Sequence, residues 1–148
     1  KNWHERAIYL ARSVVPTGGG EMSLYVLENY RTDSEHMTRW TLREDGFASV
    51  RAPLSGGEMR TVPLQFTGSG LEINYSTSAP GGVRVELQDA DGKALPGFAL
   101  EDCEEIFGDE IARDVTWSGG PDLSALAGTS VRLRVVLRDA DLYSFRFH

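Results

Sequence analysis

The last quarter of the chain alternates apolar and polar residues with a period of two. From Val131 to Leu137 every second residue is aliphatic, and from Tyr143 to Phe147 every second residue is aromatic. Strict alternation is typical of antiparallel strands that have one buried and one solvated face. It predicts a core whose inward-facing residues include Val83, Val85, Leu87, Leu133, Val135, Leu137, Phe145 and Phe147.

A near copy of this pattern stands 50 residues earlier in the chain. Val83–Asp91 aligns with Leu133–Asp141, and both segments end in Asp-Ala-Asp. Because aspartate caps the backbone of tight turns, each segment predicts a strand that is followed by a turn. Two such units favour a β-sandwich.

Short strand-like segments separated by turn residues fill the rest of the chain. The Asp45-Gly46 dipeptide predicts a hairpin turn, with Phe47–Ala52 pairing back on the strand Met37–Arg43. The spacing predicts an all-β fold, a two-sheet antiparallel β-sandwich or jelly roll, with residues 1–148 as a single domain. The other predicted strands are Ala7–Val14, Met22–Tyr30, Glu58–Thr67 and Leu71–Ser76.

Composition and charge exclude some classes of protein. The chain is 41% hydrophobic and 25% charged, as ordinary globular domains are. Its net charge of −7 argues against nucleic acid as a partner, because phosphates require clustered lysine and arginine. No apolar run approaches the roughly 20 residues of a membrane span, so we expect no membrane partner. The chain begins at Lys1, which indicates a piece of a longer protein. Its one cysteine, Cys103, is expected as a small buried or half-buried thiol.

An acidic stretch forms the first candidate site. Seven carboxylates and one arginine lie between Glu101 and Asp114. Several oxygens on one loop suit a hard cation, so the stretch predicts a structural calcium site with Asp102, Asp109 and Glu110 as ligands. Zinc is not expected, because the spacing of His4, His36 and His148 does not match a zinc site. A solvated loop that is matched by the arginines of the Val131 strand is the alternative.

The second candidate site mixes aromatic, charged and imidazole side chains around a turn. Tyr30, His36, Arg39 and Trp40 are the types that recognise sugars, since a flat ring stacks on a pyranose and the polar groups bond its hydroxyls. Trp40 also alternates with Leu42, so a core position for Trp40 stays open. The outward face of the late strands is a third candidate surface, although cross-strand ion pairs would explain it: Arg84, Glu86, Arg132, Arg134 and Arg146.

Several segments together carry a resemblance that covers nearly the whole chain. They are Trp40, the Asp45-Gly46-Phe47 turn, Gly97–Asp109, Asp122–Gly128 and Ala140–Phe147. On these the chain resembles the C-terminal, concanavalin-like β-sandwich accessory domain of bacterial glycoside hydrolase family 32-like propeller proteins. The resemblance implies a module beside an upstream catalytic domain of the same polypeptide. It also implies a secreted, periplasmic or cell-surface location in a bacterium.

Three functions follow as hypotheses. The first is a non-catalytic carbohydrate-binding or accessory module, whose partner is a polysaccharide or oligosaccharide. The second is a lectin-like glycosidase or lyase that uses two carboxylates from among Glu28, Glu35, Glu101 and Asp102. The third is a structural domain that buttresses a propeller or mediates oligomer contacts.

Overall fold

A computed structural model describes residues 8–148. The chain divides into two compact units, Lys1–Phe47 and Ala48–His148, and residues 8–47 are the described part of the first unit. The described chain is all-β, with two antiparallel sheets and no α-helix, so the predicted fold class is confirmed. Jelly-roll connectivity and a single folding domain stay predictions. Across residues 8–148 there is no helix of the length and hydrophobicity that crossing a membrane requires.

The first unit is a four-stranded sheet built around one central strand. Its strands are β1 (Tyr9–Leu10), β2 (Val15–Gly18), β3 (Glu21–Glu28) and β4 (His36–Arg43). All three of the others pair antiparallel with β3, and β4 does so along its whole length. The predicted strand Ala7–Val14 is therefore much shorter in the structure, and Ala7 itself lies outside the described residues.

The second unit is a five-stranded sheet dominated by two long strands. Its strands are β5 (Val50–Ala52), β6 (Gly57–Arg60), β7 (Leu71–Gln88), β8 (Asp109–Asp114) and β9 (Arg132–Phe147). The two long strands β7 and β9 pair antiparallel, β8 pairs with β7, and both β5 and β6 pair with β9.

The predicted core lies in this second unit. The six aliphatic residues chosen by alternation are at most 1% exposed: Val83, Val85, Leu87, Leu133, Val135 and Leu137. Phe145 and Phe147 are partly buried and pack against the same cluster. The prediction of the core is therefore confirmed. The alternation fixes the register, since a slip of one residue would turn the arginines of β9 inward.

Of the two turns predicted at Asp-Ala-Asp, the structure contains the first, and the prediction of the second is wrong. Asp89 does cap a turn, since its Oδ1 accepts the N–H groups of Asp91 and Lys93 at 3.0 and 2.9 Å. At Asp139, by contrast, β9 continues without a chain reversal, although Asp139 has a positive φ of 42° and the neighbouring strand β7 carries an irregularity between Thr77 and Gly82. The physical reason is non-local, because β5 pairs with residues 140–142 and holds them extended.

The predicted pairing of Phe47–Ala52 with the strand Met37–Arg43 is also wrong. The strand β5 pairs with β9, with Val50 opposite Leu142 and Ala52 opposite Ala140, and it does not pair back on β4. The Oγ of Ser49 donates a 2.6 Å hydrogen bond to Asp141 Oδ1, which fixes the approach of β5. Asp45 has a positive φ of 57°, so the predicted turn exists but leads elsewhere.

Candidate functional site

Trp40 is an exposed residue of the first sheet. Pairing in the β3–β4 ladder places Leu24 opposite Trp40 and Glu28 opposite His36, so these four side chains share a face. The Trp40 side chain is 43% exposed, and its Nε1–H donates a 3.1 Å hydrogen bond to Glu28 Oε1. The alternative that Trp40 belongs to the core is therefore wrong.

Glu28 links Trp40 to His36. The residue is only 8% exposed, and its Oε2 lies 3.7 Å from His36 Nε2. His36 is held on its other side, since Nδ1 lies 2.8 Å from the carbonyl oxygen of Ser34. A buried carboxylate is costly without hydrogen-bond partners, so the indole N–H stabilises it and is fixed in return.

Arg39 lies on the opposite face of the same strand. Its Nε donates a 2.8 Å hydrogen bond to Ser23 Oγ, and its Nη2 pairs with Glu21 Oε1. Because neighbouring residues of a strand point to opposite faces, Arg39 does not join Trp40 in one site.

Tyr30 belongs to a separate aromatic pair. It follows Asn29, whose φ of 56° interrupts the strand alternation. The Tyr30 ring packs edge-on against Tyr9 with centroids 4.8 Å apart, and the Arg31 guanidinium carbon lies 5.0 Å from the Tyr30 centroid. Of the four predicted sugar-site residues, the structure thus brings His36 and Trp40 together and adds Glu28.

The predicted calcium ligands are spread along the acidic stretch. Asp102 Oδ2 accepts the Ala99 N–H at 3.2 Å, within a loop. Asp109 and Glu110 begin β8, where Glu110 Oε1 accepts the Tyr75 hydroxyl at 3.1 Å. Among the described residues, these three carboxylates do not belong to a group whose ligand atoms lie close enough together to share a metal ion. A calcium site in this stretch stays a prediction.

Cys103 lies within the same acidic stretch and is buried, as predicted. Burial raises the pKa of its thiol, and the Val85 N–H donates a 3.3 Å hydrogen bond to Sγ. A thiol with a raised pKa is a poor nucleophile at neutral pH, so Cys103 acts as a packing residue.

The second sheet brings a different group of possible metal ligands together. Ligand atoms of Glu72, Asp114 and His148 all lie within 4.8 Å of one another. His148 Nε2 lies 2.9 Å from Asp114 Oδ1, and Arg146 Nη2 lies 2.8 Å from Glu72 Oε1. Local sequence spacing could not reveal this group, because each residue comes from a different strand or strand end. Each carboxylate already has a hydrogen-bond donor or cation beside it.

Cross-strand ion pairs cover much of the outward face of the second sheet, as the sequence predicted. Arg134 bonds Glu58 Oε2 at 2.8 Å and lies 3.5 Å from Glu86 Oε1. The hydrogen bond from Arg134 is the main cause of a lowered pKa of Glu58 and, in return, of a raised pKa of Arg134.

The four candidate catalytic carboxylates are divided between the two units. Glu28 and Glu35 belong to the first unit, while Glu101 and Asp102 belong to the second. Glu28 anchors Trp40, and Glu35 Oε2 accepts the Arg31 N–H at 2.8 Å. These hydrogen bonds give the two carboxylates of the first unit structural roles.

Comparison of the chain with protein-family models, curated proteins and solved structures finds no significant match.

Proposed function

We propose that this chain is a non-catalytic carbohydrate-binding module whose ligand stacks on Trp40. The observation that carries the proposal is an exposed indole that is anchored through its N–H to the buried carboxylate of Glu28. An aromatic side chain with a fixed polar end offers its flat face to a ligand.

The chemistry of the site suits a neutral sugar ring. One face of a pyranose presents C–H groups, which pack on the negative face of an aromatic ring. His36, on the same face of the sheet as Trp40, is exposed and can bond a sugar hydroxyl. Because Glu28 already holds the indole, little side-chain freedom is lost on binding, which favours affinity.

Binding without cleavage fits the arrangement of acids better than catalysis does. Glycoside hydrolysis generally requires two carboxylates that flank the bond. Glu28 is held by the Trp40 N–H and Glu35 by the Arg31 N–H, so both serve as structural acceptors.

The proposed setting rests on the sequence resemblance. The module would bind a polysaccharide or oligosaccharide beside an upstream catalytic domain of the same bacterial polypeptide, in a secreted, periplasmic or cell-surface location. Calcium in the acidic stretch would be a structural addition to the module.

A glycan array on the isolated chain, with and without calcium, tests the proposal. We expect binding to a defined set of neutral glycans, which Trp40→Phe retains in part and Trp40→Ala loses. Met37→Ala is the matched control, since Met37 is an exposed residue of the same strand on the opposite face. No binding across a broad array would contradict the proposal.

A specific observation favours a structural or interaction domain as the second candidate. Large hydrophobic side chains are exposed through residues 8–47, including Leu10 and Met37. Exposed apolar surface of this kind is typical of contact sites between proteins. Sedimentation of the isolated chain across concentrations tests this candidate, and concentration-dependent association that Leu10→Ser abolishes would support it.

A further inference from the structure

The outward face of the second sheet is cationic, although the whole chain carries a net charge of −7. Alternation and pairing register in β6, β7 and β9 turn five arginines and two glutamates outward, with Glu105 reaching in from a loop. The arginines are Arg60, Arg84, Arg132, Arg134 and Arg138, and the strand glutamates are Glu58 and Glu86. This face therefore has a local excess of positive charge.

An open cavity of about 200 Å³ lies on this face, where β7 is irregular. Val136 and Leu137 contribute to its lining, together with Arg84, Arg138 and Glu105. Each oxygen of the Glu105 carboxylate faces a different arginine: Oε1 lies 3.2 Å from Arg138 Nη2, and Oε2 lies 3.7 Å from Arg84 Nη2. Two guanidinium groups thus share one carboxylate.

The Arg84 guanidinium is held in position by the protein. Its Nη1 donates to the carbonyl oxygens of Leu100 and Cys103 at 3.2 and 3.3 Å. These bonds leave Nη2 directed at the shared carboxylate. An arginine that is fixed in this way can donate a charged hydrogen bond from Nη2 to a carboxylate oxygen.

Gly82 provides the space that the carboxylate occupies. A Cβ at Gly82 would lie 2.5 Å from Glu105 Oε1, which is too close for any other residue without a shift. Gly82 does not have a positive φ, so what its missing side chain provides is room for Glu105 beside the backbone. The cavity is therefore shaped to hold a carboxylate against the backbone of β7.

We propose that this cavity is a second binding site, in which the carboxylate of an acidic sugar residue displaces Glu105 and binds between Arg84 and Arg138. Glu105 is exposed, and its contact with Arg84 is long at 3.7 Å, so a ligand carboxylate can compete with these solvent-screened ion pairs. A uronic acid supplies both the flat anionic group and a ring to contact Val136. The site is separate from Trp40, and the choice of a sugar acid as its ligand rests on the function proposed above.

The experiment titrates glucuronic acid into the 15N-labelled chain and follows the amide signals of Gly82 and Arg84, with glucose and sulfate as separate probes. We expect glucuronic acid to shift both signals, with an affinity that falls as salt is added. Glucose should leave them unchanged, and sulfate should bind more weakly because it does not match the flat Glu105 site.

Three variants are expected to differ in their affinity for glucuronic acid. Glu105→Gln removes the competing charge while keeping the side-chain shape, so it should tighten binding about two- to fivefold. Arg138→Gln should weaken binding about tenfold or more, because it removes a charged hydrogen bond. Arg146→Ala is the control, since Arg146 pairs with Glu72 and does not line the cavity.

Four results would contradict the proposal that this cavity binds a carboxylate. They are weaker or unchanged affinity in Glu105→Gln, full affinity in Arg138→Gln, equal binding of glucose, and no shift of either amide in both wild type and Glu105→Gln. Trp40→Ala should leave glucuronic acid binding intact, so failure of this site and failure of the Trp40 site are distinguishable.

Discussion

The two units of the chain differ in how they use their apolar side chains. Nineteen hydrophobic residues of Ala48–His148 are buried, whereas in residues 8–47 only Val26 is. Nine large hydrophobic side chains are exposed in residues 8–47, against four in the much longer second unit. Since buried apolar area is the main source of stability, the second unit should carry most of the free energy of unfolding.

The contrast separates stability from recognition. Substitutions in the β7–β9 core should strongly destabilise the protein, while substitution of the exposed Trp40 should change binding and leave the protein folded. The predictions below test this separation.

The largest effect is expected at Leu133, which is fully buried on β9. Leu133→Ala removes its core contacts and leaves a cavity, so the free energy of unfolding should fall by about 2–5 kcal/mol. Urea denaturation of the variant and of the wild type measures this loss of stability. Leu54→Ala, at an exposed apolar position of the same unit, is the control and should stay within about 0.5 kcal/mol of wild type. Equal losses in both variants would remove the distinction between core and surface.

The hydroxyl of Tyr75 should have the next largest effect. Its one hydrogen is shared between two acceptors, the Phe107 carbonyl oxygen at 2.9 Å and Glu110 Oε1 at 3.1 Å. Tyr75→Phe should lower the free energy of unfolding by about 1–2 kcal/mol. Tyr25→Phe, an exposed tyrosine of the first sheet, should change it by less than about 0.5 kcal/mol.

High pH should destabilise the protein partly through the same residue. Burial raises the pKa of Tyr75 from 10.0 to about 12, and the charge of Glu110 adds to the shift. A raised phenol pKa means that the folded state holds its proton longer, so this contribution is complete below pH 10 and is lost between pH 10 and 12. Stability should therefore fall less steeply over that range in Tyr75→Phe than in wild type. Parallel curves would show that Tyr75 does not contribute.

Glu28 tests the anchor of the exposed indole. Glu28→Gln keeps an acceptor for the Trp40 N–H, so stability should change by less than about 1 kcal/mol and glycan affinity should persist. Glu28→Ala removes the acceptor, and glycan affinity should fall as the indole gains freedom. Tryptophan fluorescence anisotropy and a glycan titration measure the two effects. Identical affinity in both variants would show that the anchor is unimportant.

Local sequence predicted the core well and the connections poorly. Leu133 and Val85 follow a period-two alternation, which depends only on neighbouring residues. Asp89 and Asp139 stand in the same local sequence, yet only Asp89 forms a turn, with Gly92 at a φ of 87°. β5 pairs with residues 140–142, and a partner strand that is so distant in sequence leaves no local signal at Asp139.

The candidate site was only partly predictable, because part of it depends on strand pairing that the local sequence does not reveal. Alternation separates Arg39 from Trp40, and this could have been inferred from the strand Met37–Arg43 alone. The link from Glu28 to Trp40 depends on the register of two strands across the 29–35 loop. The positive φ of Asn29, which ends the alternation before Tyr30, was not predicted either.

The most direct test of the central claim measures affinity and stability together in Trp40→Ala. Calorimetric titration with the best neutral glycan from the array should give wild-type Kd values between tens of micromolar and millimolar, which correspond to about 4–7 kcal/mol. We predict that Trp40→Ala abolishes measurable binding and lowers the free energy of unfolding by about 1–3 kcal/mol, because Glu28 loses its indole donor, while the protein stays folded. Retained glycan affinity in Trp40→Ala, or global unfolding of that variant, would contradict the account.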